Sequence, residues 1–162
     1  AVEALRQIAL KNGGVPPKIT NLILASPDLD IGVFRRQVEE MGQSRPRITL
    51  FVSQADRALR VSAVLSRGAT RLGSVDPENE TYRRQLGDLD GVTILDLTAL
   101  KGGDRINHSI YAKSPEVVRL IGERLIEGQV ITDTDVSPIN TLGNAAGLAA
   151  TAPIRVFEAG RR

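Results

Sequence analysis

Three short apolar runs constrain this chain more than any other feature: "KITNLILAS" at 18–26, "RITLFVS" at 47–53 and "GVTILDL" at 91–97. Each is nearly continuous in Ile, Leu, Val and Phe rather than alternating with polar residues. A strand solvated on one face alternates; a strand covered on both faces does not, and such strands belong to parallel sheets packed under helices. Between the runs the pattern changes to helical spacing. Ala1, Leu5, Ile8 and Ala9 form one stripe that stops at Gly13-Gly14. Val33, Phe34, Val38 and Met41 form a second behind Asp30, which is placed as an N-cap. Ala58, Val61, Val64 and Leu65 predict a short third helix. Ser114 and Pro115 open a fourth, over 115–127, with a broad apolar face at Val117, Val118, Ile121, Leu125 and Ile126 that ends at Gly128.

Helix and strand therefore alternate from residue 1 to residue 128. That alternation predicts an α/β fold, a parallel sheet flanked by helices. Residues 66–90 are polar and carry Gly68, Gly73 and Pro77; they read as an excursion loop. Residues 129–162 lose the pattern and read as a low-complexity tail or extension, in which Ile154–Phe157 is the single candidate for an edge strand.

Bulk properties exclude several classes of function. The 162 residues carry 21 basic and 19 acidic side chains, a net charge of +2, and aromatics make up only 3%. Nucleic-acid binding calls for a basic stripe with stacking rings, and neither is present. With no cysteine there is no disulfide, thiolate metal site or cysteine nucleophile. No apolar run approaches the ~20 residues of a membrane span. The composition reads as soluble, and cytoplasmic and exported settings both remain open. The chain starts at Ala1, directly in a helical pattern, which predicts a piece of a longer protein.

In an open parallel sheet, chemistry gathers beyond the carboxyl ends of the strands. Three polar clusters occupy those places: Ser26, Asp28 and Asp30 after the first run; Ser53, Gln54, Asp56 and Arg57 after the second; Asp104, Asn107, His108 and Ser109 after the third. His108 is the only histidine. A carboxylate on one strand end and an imidazole on a neighbouring one converge if the strands are parallel. The carboxylate then fixes the imidazole tautomer, leaving the second ring nitrogen to take a proton. Each residue also has a plain structural role open to it. A lone histidine such as His108 is usually a surface residue; Asp56 reads also as a helix cap, Asp28 and Asp30 as turn and cap residues, and Arg57 as the partner of a nearby acid or a solvated side chain. No metal is expected: one histidine and scattered aspartates lack ligand spacing, and "DTDVSPIN" at 133–140 lacks the glycine and final glutamate of a calcium loop. No cofactor is expected either, because no glycine-rich phosphate turn follows a strand.

Taken together, "ILASPDLDIGVFRRQV" (23–38), "ITLFVSQADRALRVS" (48–62), "RLGSV" (71–75) and "INHSIY" (106–111) resemble a bacterial family of α/β-hydrolase-fold proteins of unassigned function, esterase- or lipase-like in character. The resemblance runs in order over roughly residues 1–127. It implies Asp56 as the acid and His108 as the base of a Ser-Asp-His triad, with Asp28 as the alternative acid one strand earlier. The nucleophile of this fold sits in G-x-S-x-G, and no such motif occurs in the chain. The expectation is a partial α/β-hydrolase fold, 1–128, lacking the N-terminal strands and the nucleophile elbow. Such a chain is inactive alone. Its parent hydrolyses a small ester, thioester or amide, unless the domain is a non-catalytic binding or scaffolding module. A half-sheet leaves an uncovered edge near 18–26, which predicts self-association or pairing with the missing N-terminal half.

Overall fold

A computed structural model describes residues 1–56, 70–98 and 155–158, with the single positions 115, 118, 119 and 122. Chain entry is helix α1, Val2–Asn12, whose stripe buries Val2, Leu5 and Ala9. It stops at Gly13, where φ is +75° and the left-handed backbone favours glycine. Strand β1, Asn21–Ala25, follows. Helix α2, Ile31–Glu40, starts at Asp30, whose carboxylate accepts from the Val33 N–H at 3.0 Å. Strand β2 is Arg47–Val52. A one-turn 3-10 segment at Leu72–Ser74 and helix α3, Glu80–Leu86, lead to strand β3, Val92–Asp96. Strand β4, Arg155–Glu158, completes the sheet.

The sheet order is β1-β2-β3-β4. β1, β2 and β3 are parallel, with Leu22 beside Ile48 and Ile48 beside Val92. β4 runs antiparallel to β3. α1 and α3 both pack against α2. Phe34 and Val38 of α2 meet Ile48, Leu50 and Val52 of β2 and Val92 and Ile94 of β3 in one core. The other faces of β2 and β3 are enclosed as well, since Phe51 and Leu95 are buried. That double burial is why these two runs are continuous rather than alternating. β1 differs: all five of its residues are half-buried.

Charged groups fix the helix layer from outside. Arg6 reaches Glu40 of α2 as well as Glu3 in its own helix. Glu3 also accepts from Gln37 of α2 at 2.7 Å, and hydrogen bonds from Gln7 and then Gln37 hold its carboxyl below the ordinary range.

Several expectations need correction. Residues 70–90 are not an open loop, because α3 forms there under an Asn79 cap that accepts from the Thr81 N–H at 2.9 Å. α3 buries only Leu86, so it has no apolar stripe to announce it. Val33 lies on the solvent side of α2 at 46% exposure; Ile31 and Gln37 take the inward positions instead. The tail contributes a true strand, one residue later than expected and antiparallel. Positions 115, 118, 119 and 122 are helical, but Val118 is exposed rather than part of an apolar face. The helix expected at 58–65 lies outside the described residues.

Candidate functional site

Parallel pairing puts the carboxyl ends of β1, β2 and β3 on one rim. The chain turns off β1 at Ser26, whose φ of +44° is left-handed and whose N–H donates to the Phe51 carbonyl at 3.0 Å. The segment 70–74 then crosses this rim. Gly73 donates to the Pro27 carbonyl at 2.9 Å, and its own carbonyl accepts from Ser53 at 2.8 Å. Leu72 donates to the Leu29 carbonyl at 2.8 Å. One short segment therefore fastens the ends of β1 and β2 to each other.

Asp28 and Asp30 have structural employment on this rim. Asp30 caps α2, as its position in the sequence suggests. Asp28 pairs with Arg71, Oδ1 to Nε at 3.1 Å, with its own side chain half-exposed. Ser53 and Asp56 form a tight turn after β2, closed by the Asp56 N–H donating to the Ser53 carbonyl at 3.1 Å. Asp56 is 0% exposed. A polar side chain removed from water in this way is held by hydrogen-bonding or charged partners. Among the described residues the buried Ser53 hydroxyl, in the same turn, has no hydrogen-bond partner. Arg57, Asp104, Asn107, His108 and Ser109 lie outside the described residues.

At the end of β3 stands a second buried carboxylate that the sequence reading passed over. Asp96 is 1% exposed. Its Oδ1 accepts from the Thr98 N–H at 2.9 Å and from the Thr98 hydroxyl. Its Oδ2 accepts from Arg155 Nη2 at 2.9 Å. Arg155 also pairs with Glu78, and its basicity is raised, first by Asp96. The Thr98 hydroxyl in turn accepts from the Gln54 N–H at 2.9 Å, inside the Asp56 turn. The signal for Asp96 was present: an acid inside the apolar run "VTILDL", at a strand's carboxyl end. Arg155 had no signal, because its partner lies 59 residues away in sequence. Among the described residues no cluster of three or more metal-ligating side chains occurs.

A parallel sheet with helices packed along it and a polar rim beyond the strand ends agrees with a family model that matches residues 1–124, "alpha/beta hydrolase of unknown function (DUF900)". The chain belongs to the DUF900 family. The DUF900 match covers α1 to β3 and the Asp28, Asp56 and His108 positions; β4 lies beyond it. Neither the curated proteins nor the solved structures include a match to the chain. Among the described residues of this DUF900 protein, the α/β-hydrolase fold includes the parallel strands β1, β2 and β3 and the helices α1, α2 and α3. Among the described residues no helix is long and apolar enough to cross a membrane.

Proposed function

We propose that this chain carries the acid and the base of a serine hydrolase acting on a small ester, thioester or amide, with Asp56 as acid and His108 as base. The buried Asp56, on a closed turn at the rim of a hydrolase-type sheet, is the observation that carries this reading. Asp56 accepts a hydrogen bond from one ring N–H of His108 and holds its tautomer. The other ring nitrogen takes the proton of an attacking serine hydroxyl and later delivers it to the leaving group. Asp28 is the less favoured candidate for the triad carboxylate because Arg71 already engages it and its side chain is half-exposed.

No G-x-S-x-G occurs in these 162 residues. The proposed nucleophile comes from outside them, on an upstream elbow, and the chain alone is inactive. Without serine and oxyanion donors only residual catalysis is expected. The proposed partner surface is the outer edge of β1, where a strand of the missing N-terminal half, or of a second copy, adds to the sheet. The uniform half-burial of β1 supports that placement.

A fluorophosphonate label on the folded, longer protein tests the reading. Labelling of one serine, lost in His108→Ala and slowed about 10³- to 10⁴-fold in Asp56→Asn, is expected. No labelling, or labelling indifferent to His108→Ala, overturns it, as does an elbow without serine.

A further inference from the structure

Two buried carboxylates stand at neighbouring strand ends, and the proposed chemistry uses only one. Asp96 is directly opposite Arg155 in the β3–β4 ladder, and Val52, at the end of β2, is its partner on the other side. The hydroxyl of Thr98 has a single proton. It is donated to Asp96 Oδ1 in a hydrogen bond. What remains on the Thr98 oxygen is acceptor capacity, and the Gln54 N–H fills it at 2.9 Å. The hydrogen bonds therefore run in one direction, from Gln54 to Thr98 to Asp96, and Arg155 Nη2 holds the other carboxylate oxygen, Oδ2, at 2.9 Å. Gln54 is the second residue of the turn that the Asp56 N–H closes onto Ser53.

We infer that Thr98, oriented by Asp96 and Arg155, is a positioning residue that sets the placement of Asp56. The catalytic meaning of this inference rests on the role proposed above for Asp56. The bond network itself does not. Arg155 comes from β4, outside the 1–124 segment that matches the family, so the C-terminal strand contributes a support that the matched segment does not contain. Thr98 is specific in this role. Valine keeps its shape and removes the acceptor; serine keeps the acceptor and removes a methyl.

The test compares Thr98→Val, Thr98→Ser and Arg155→Met in the full-length protein. Amide hydrogen exchange at Gln54 is expected to speed up about five- to tenfold in Thr98→Val and to return to normal in Thr98→Ser. Arg155→Met speeds the same amide to a smaller degree, while Leu50 and Ile94 in the strand interiors stay slow. In fluorophosphonate labelling, the acid limb of the pH profile is expected to move about half a unit toward lower pH in Thr98→Val, because a displaced carboxylate stabilises the imidazolium less. A general loss of stability lowers the amount of label without moving that limb. Unchanged Gln54 exchange, uniform acceleration across the sheet, or an unmoved limb beside faster exchange overturns the positioning role. If Thr98→Val does not fold, the same readings on Arg155→Met decide. If the unsubstituted protein takes no label, the hydrolase reading fails, and the exchange data alone decide whether Thr98 holds the turn.

Discussion

Asp96 and Arg155 meet across the antiparallel β3–β4 ladder, Oδ2 to Nη2 at 2.9 Å, with Asp96 out of contact with water and Arg155 partly in it. Removing the cation leaves a buried carboxylate short of one partner. Arg155→Met is expected to destabilise the protein by about 1–3 kcal/mol. Glu78→Gln, which touches only the exposed side of the same arginine, is expected to cost no more than about 1 kcal/mol. Urea unfolding midpoints of the two variants check the difference; equal losses would mean that Asp96 does not depend on Arg155.

Asp28 and Asp30 are two residues apart and predict opposite outcomes. Asp30→Ala removes the α2 cap and is expected to cost about 1 kcal/mol. Asp28→Asn weakens one half-exposed ion pair with Arg71 and is expected to cost less than about 1 kcal/mol. Labelling of the longer protein is expected to survive Asp28→Asn. Loss of label there with Asp56→Asn fully active would transfer the acid role to Asp28.

The outer side of β1 makes a prediction through backbone geometry. Ser26 donates to Phe51 and Thr20 accepts from Arg47, so the even-numbered backbone groups face β2. By alternation, Ile23 turns its N–H away from β2. Ile23→Pro therefore removes an outward donor and spares the β1–β2 ladder. Size-exclusion chromatography with light scattering is expected to show weaker self-association of the isolated chain and unchanged far-ultraviolet circular dichroism. Undiminished association would place the contact elsewhere.

Glu3 gives the pH dependence its sign. Its folded-state affinity for protons is depressed by the Gln7 and Gln37 hydrogen bonds, so its contribution to stability is present above the ordinary carboxylate range. That contribution is lost as pH falls through the lowered folded value. Glu3→Gln is expected to reduce stability near neutral pH and to flatten its decline toward about pH 3. Thermal unfolding of both proteins at the two pH values checks this; parallel curves would mean that Glu3 does not contribute to acid sensitivity.

The parts of the fold legible in the sequence are those governed by local signals. β2 and β3 announced themselves because both faces are covered, and α1 and α2 because Gly13 and Asp30 mark a stop and a start. α3 was illegible because it buries one side chain, and its cap, Asn79, precedes no apolar stripe. At the rim, the aspartates could be named as candidates, and the sequence also suggested the N-cap role of Asp30. The partners of Asp28 and Asp96 could not be named, since Arg71 and Arg155 reach them only after the chain has returned across the sheet. Ion pairs between distant segments leave no periodicity to read.

Gly73 receives a hydrogen bond from one strand's exit and gives one to the other's. Two strand tips thus share a single hinge pin. Lengthening or shortening the 70–74 crossing would shift both tips together, so the geometry of the rim can drift by loop change while the sheet beneath it stays put.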